Sequence, residues 1–214
     1  MTIAAAACHE NHPMNEKSIL FSGPMIRALL AGTKTQTRRI IKPQPDRPGA
    51  SLQTTIRGAN PATPITALPA GKSPYGLAND RLWVKESFSG PNIRETLPPR
   101  LWQPEDPIWY WADGKPPSGA WTRPRSSLFM PRWASRILLQ VIDVRSERLQ
   151  DCSPSDAMAE GLLRTAEGFR GAPDLPPFAS PLDAYRSLWE RINGVDSWAA
   201  NPWVWVVRFR IAPR

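Results

Sequence analysis

"ILFSGPMIRALLAGTKTQTRRIIKPQP", residues 19–45, decides how this chain folds. Ile19 to Phe21 is a short apolar strand. Ser22 stands where an N-cap belongs, and Pro24 fits the first helical turn, where its missing N–H costs nothing. Met25, Ile26, Leu29 and Leu30 recur at helical spacing, and Gly32 suits the residue that stops a helix. Thr35 to Ile41 is then a second strand, rich in β-branched residues and ended by Pro43. Alternation puts Thr35, Thr37 and Arg39 on one face and Gln36 and Arg38 on the other. On a regular strand Lys34 would lie opposite Thr37. The two can share a site only if Lys34 belongs to the turn after Gly32, or if a bulge re-aims it. Otherwise the segment is a basic edge strand, whose lysine and arginines block edge-to-edge pairing.

Outward from this stretch, residues 1–16 read as a flexible leader and 17–214 as a single domain. Residues 42–79 hold seven prolines and little apolar periodicity, which predicts a long surface insertion. "DRLWVKESF", 80–88, is a strand. A second Pro-rich insertion covers 89–126, interrupted by the aromatic strand of "PIWYWADG". Arg136 to Arg148 is a long strand with Ile137, Leu139 and Val141 in alternation. In "CSPSDAMAEGL", Ser153, Pro154 and Asp156 spell a capped helix start, and Gly161 ends that short helix. "SPLDAYRSLWERING" is an amphipathic helix with Leu182, Tyr185, Leu188, Trp189 and Ile192 on one face. "NPWVWVVRFRI" is a final strand. Many strands with a few short helices predict an α+β fold, a small mixed β-barrel with long Pro-rich surface insertions.

The net charge is +8, and 21 of the 27 basic residues are arginine. Arginine is the planar, bidentate ligand for phosphate and carboxylate, so an anionic partner, first of all RNA or DNA, is expected. The only histidines, His9 and His12, sit in the leader. That excludes a histidine triad or histidine metal site from the folded body. Two cysteines without metal or disulfide spacing fit a reducing cytoplasm, and no apolar run approaches membrane-spanning length. Several of the ten tryptophans, among them Trp102 to Trp133 beside Arg100, Arg123, Arg125 and Arg132, could stack on bases.

The 19–45 stretch, with "DRLWVKESF" and "NPWVWVVRFRI", resembles the ASCH domain family, in particular its long phage- and prophage-associated members. The shared pattern is the turn of Gly32, Lys34, Thr35, Thr37 and Arg39. The resemblance implies a PUA-like β-barrel and a link to RNA. Some small ASCH proteins are amidohydrolases that deacylate N4-acetylcytidine with a lysine and a threonine from this turn and a glutamate from a later helix. By resemblance those positions are Lys34, Thr37 and Glu160. Without the resemblance Glu160 is an ordinary glutamate near a helix end. Arg38, Arg39 and Thr35, with Trp83 and Glu86 from "DRLWVKESF", are the candidate residues for binding substrate or nucleic acid.

An amidohydrolase of this kind needs no cofactor and no metal, and its partner is a modified cytidine nucleoside or nucleobase. Two routes are open. Thr37 attacks with Lys34 as its base, or Glu160 activates water while Lys34 and Thr37 hold the oxyanion. The alternatives to an enzyme of this class are a non-catalytic RNA- or DNA-binding module and a nuclease.

Overall fold

The computed structural model describes residues 15–45, 72–117 and 119–213. The leader up to residue 14 and the centre of the first insertion, 46–71, lie outside the described residues. The first elements are β1 (Glu16–Leu20), α1 (Gly23–Leu30) and β2 (Gln36–Ile40). Ser22 is the N-cap of α1 by backbone geometry, but its side chain makes no capping hydrogen bond. Gly32 takes φ +72, which a residue with a Cβ adopts only with strain, so the helix stops there and the chain doubles back. The Thr33 and Lys34 amides both donate to the Ala28 carbonyl and lock this turn.

Further along come β3 (Arg81–Lys85), β4 (Phe88–Ser89), β5 (Trp109–Tyr110) and the long β6 (Leu138–Arg148). They are followed by α2 (Pro154–Ala159), β7 (Leu163–Thr165), β8 (Gly168–Arg170), α3 (Pro181–Asn193) and β9 (Trp203–Ile211). The main sheet has the order β1-β3-β6-β9-β2. Only β1 and β3 are parallel in it. One face packs on α1 around Ile26, Leu29, Leu82, Leu139, Val207 and Phe209. The other carries Val204 and Val206 against α2 and α3. The second insertion is folded: β4 and β5 pair, and Phe88, Trp102, Met130 and Ala134 form a satellite core.

The fold is therefore mixed α+β, but the expected barrel is not closed. Strands β1 and β2 end the sheet without pairing to each other. Helix α1 runs between them, and the Arg39 side chain spans the gap: its Nη2 donates to the Leu20 carbonyl at 2.6 Å. One guanidinium stands where closure would need a ladder of backbone bonds. Strand β2 thus keeps an open edge.

The alternation expected along β6 also breaks. Leu139 and Val141 face α1, but the register against β9 shifts between Val141 and Asp143, leaving Ile142 exposed. Beyond this bulge Val144 takes over the α1 face. Odd-numbered residues now point to the α2/α3 face, because one extra residue inverts the parity of everything after it. Glu147 is one of them.

Candidate active site at the open edge of β2

The capping box expected at Ser153 is present: the Asp156 amide donates to Ser153 Oγ, and the Ser153 amide to Asp156 Oδ2. It fixes the start of α2, whose last turn presents Glu160. Lys34 and Glu160 form an isolated antiparallel bridge, with the Thr35 amide donating to the Ala159 carbonyl at 2.9 Å. Gly161, at φ +90, permits this approach. A Cβ there would meet the Cβ atoms of Ala28 and Lys34, each at 2.9 Å.

Lys34 is in the turn and not on the strand, which meets the geometric demand that the sequence sets. Its Nζ donates to the carbonyls of Gln36 (2.9 Å) and Glu160 (2.8 Å) and to Glu160 Oε2 (3.0 Å). The Gln36 oxygen belongs to the peptide unit that leads into Thr37. Three acceptors match the three N–H bonds of an ammonium, so the charged lysine is fully satisfied. Burial lowers its pKa from the ordinary lysine value, and the Glu160 carboxylate works against that shift.

Arg38 holds the other side of Glu160. Its Nη1 lies 3.2 Å from Glu160 Oε1, its Nε and Nη2 reach Glu147 Oε1 at 3.1 and 2.6 Å, and Nη2 is 3.4 Å from Asp156 Oδ2. The guanidinium is fully buried among three carboxylates and sits 5.9 Å from the centre of the Tyr185 ring. Burial opposes its charge, but Glu160 first and Glu147 after it raise its pKa. Arg38 therefore serves Glu160, with Nε, Nη1 and Nη2 each engaged by a carboxylate. Cys152, beside this network, has its thiol pushed up to about 12 by burial, which leaves it unreactive.

Two cavities meet at Glu160. A cleft of about 1010 Å³ runs between α1, the turn, the end of α2 and α3; Thr35, Arg27, Arg164 and Arg191 are on its walls. A recess of about 80 Å³ follows the open edge of β2, lined by Thr37, Arg38, Arg39, Glu160, Tyr185 and Trp189 among others. Met25, Glu160, Leu188 and Ile192 belong to both walls, so the recess adjoins the cleft. Because β2 is an edge, residues from both of its faces reach this chamber. That is how Thr37 and Arg38 come to line one space despite opposite parity.

The recess is polar in an unusual way. Thr37 and Tyr185 are each 3 % exposed, and neither hydroxyl has a hydrogen-bond partner among the described residues. Two of its residues, Arg39 through Nε and Trp189 through Nε1, carry buried N–H groups without a partner. Each such buried N–H costs about 1–3 kcal/mol in a closed interior, whereas the Thr37 and Tyr185 hydroxyls are not fully closed off and stay open to water or a ligand.

Compared with family models, curated proteins and solved structures, the chain matches none. The structure brings Lys34, Glu160 and Arg38 into contact and sets Thr37, Arg39 and Glu160 around one recess, while Thr35 faces the cleft. Trp83 and Glu86 line neither cavity. The Trp83 ring lies 5.1 Å from Lys85 Nζ and 5.9 Å from the Arg132 guanidinium. Glu86 is buried in a bidentate pair with Arg136 at 2.9 and 3.0 Å, which Asp113 also shares. Burial raises the Glu86 pKa and Arg136 opposes this. Glu147 and Tyr185 belong to the site but carry no mark in the sequence: one depends on the β6 bulge, and the other reads as a core position of α3.

Proposed function

We propose that this chain is an amidohydrolase that removes a small acyl group from N4-acylated cytosine or cytidine, in an ASCH-type, PUA-like variant of the α+β fold. One observation carries the reading. Glu160, clamped between Lys34 and Arg38, is a wall shared by a cleft large enough to admit a nucleoside and the small recess that contains Thr37.

Of the two chemical routes, the hydrogen bonding at Lys34 favours water activation. Its amine has no free lone pair while it donates to three acceptors, so it is not the base that would activate Thr37. Lys34 and Arg38 are positioning residues that hold the carboxylate. A carboxylate offers about four lone-pair sites; the cations occupy two, and another accepts the proton of the attacking water. The Thr37 hydroxyl orients that water or the acyl carbonyl. Such general-base assistance contributes about 10²–10⁴-fold.

The test is incubation of the full chain with N4-acetylcytidine, N4-acetylcytosine and an oligoribonucleotide containing N4-acetylcytidine, with release of acetate and of the free amine measured. Turnover of at least one is expected. No turnover of any overturns the reading.

A second reading, single-stranded nucleic-acid binding, is favoured by a different place. An open groove of about 320 Å³ is lined by Trp111, Trp121, Lys115 and Arg123, which pairs aromatic faces with cations. It calls for oligonucleotide affinity that falls steeply with salt and is reduced by Trp121→Ala. Salt-indifferent binding removes it.

A further inference from the structure

The recess beside Glu160 has the size and the polar groups of a ligand subsite in its own right. Its volume is about 80 Å³. That is about half of the roughly 150 Å³ of a cavity that holds a benzene ring. An acetyl group has that size, whereas a benzoyl group is far larger. The walls offer an apolar side, from Met25, Leu188 and Ile192, and hydroxyls from Thr37 and Tyr185. Tyr185 is 3 % exposed and its hydroxyl finds no partner among the described residues. Among the described residues nothing uses the donor that this phenol carries.

We propose that the recess is the acyl-binding site, and that the Tyr185 hydroxyl donates a hydrogen bond to the acyl carbonyl oxygen, making Tyr185 a catalytic residue. The inference rests on the amidohydrolase reading and deepens it by naming the acyl class. Water adds to the carbonyl carbon while Glu160 takes its proton. The carbonyl π pair moves onto oxygen, where Tyr185 holds the developing charge. The tetrahedral species then collapses, the C–N bond breaks, and the proton passes from Glu160 to the leaving nitrogen. Amide and water become carboxylic acid and amine. A phenol suits the donor role because it must not ionise in the working range. Burial first, and the nearby Glu160 charge next, raise the Tyr185 pKa well above its ordinary value. Acyl groups longer than acetyl must either leave the recess or displace Leu188 and Ile192, so hydrolysis falls with acyl size.

Two measurements on the full chain test this. In the first, acetamide is titrated and followed by NMR. Millimolar binding is expected for wild type, about tenfold weaker binding for Tyr185→Phe, and none for benzamide. Absence of acetamide binding, or equal binding by Tyr185→Phe, overturns the proposal. In the second, N4-acetyl- and N4-benzoylcytidine are compared as substrates. Acetyl turnover is expected to exceed benzoyl turnover at least a hundredfold, and Tyr185→Phe to raise KM about tenfold, as for acetamide, and to lower kcat about 10²–10³-fold, the usual loss for one oxyanion donor. Comparable benzoyl turnover overturns the proposal without any variant. The failures are separable. Acetamide binding without turnover removes the amidohydrolase reading and leaves the recess. Turnover indifferent to Tyr185 and to acyl size removes the recess and leaves the amidohydrolase.

Discussion

Replacing Lys34 by methionine keeps the length of the side chain and deletes its charge. The lysine side chain is 0 % exposed and that of Glu160 5 %, so the lost ammonium is not replaced by bulk solvent. Removing one partner of a buried pair costs about 3–5 kcal/mol, because the other charge is left behind. The carbonyls of Gln36 and Glu160 lose their donor as well. Against a total stability of roughly 5–15 kcal/mol this is a severe loss. At about 2–4 °C per kcal/mol for a chain of this size, the melting midpoint falls by about 6–20 °C. Lys34→Met/Glu160→Leu removes both charges and leaves Arg38 with Glu147 and Asp156. It is therefore expected to be less damaged than the sum of the single changes. Urea unfolding of wild type, both singles and the double gives the coupling directly. A Lys34→Met cost within about 0.5 kcal/mol, as for a surface lysine, or additive costs across the cycle, would refute the buried pair.

Gly161→Ala places a methyl group 2.9 Å from the Cβ atoms of both Ala28 and Lys34, at a backbone φ of +90. It is expected to cost about 1–3 kcal/mol and to lower activity by moving Glu160, whereas Gly114→Ala, also at positive φ but with open space, lowers stability and spares activity. Asp156 has a depressed pKa: burial opposes the shift, but hydrogen bonds from Ser153 and Gln36 and the charge of Arg38 prevail. An unfolded aspartate protonates near pH 4, so this contribution is complete above about pH 4 and is lost as pH falls through the lower folded value. Asp156→Asn should flatten that acid limb in pH-dependent melting. Lys34, whose pKa is also lowered, gives a slope of the same sign at high pH. Between its lowered pKa and the roughly 10.4 of an unfolded lysine, the unfolded chain binds the extra proton, so stability rises with pH. Activity that needs the ammonium to hold Glu160 falls in the same interval. A kcat/KM profile flat to pH 10.4 removes Lys34 from the site.

Much of this architecture is legible in the sequence because it rests on local grammar. Gly32 stops α1, the Ser153–Asp156 box starts α2, and the apolar spacing of α3 and the alternation of β9 each depend on a few neighbouring residues. The turn that carries Lys34 follows from Gly32 in the same way. What the sequence conceals depends on distant pairing. The β6 bulge is set by its register with β9, and it alone decides that Glu147 meets Arg38. The open sheet depends on Arg39 reaching Leu20 across the gap between β1 and β2. Arg38 looks like a free phosphate ligand in "TQTRRII", because the three carboxylates that consume it lie more than a hundred residues away. Tyr185 shares its spacing with core residues, and only the cavity shows that its hydroxyl is unspent.

The most direct test is kcat/KM for N4-acetylcytidine in wild type and in Glu160→Gln, with both shown to be folded. Glu160→Gln keeps the shape of the side chain and removes the base. The expected result is measurable wild-type hydrolysis that falls by about 10²–10⁴-fold in the variant. Wild-type inactivity, or a variant within tenfold of wild type, would contradict a catalytic site built around Glu160.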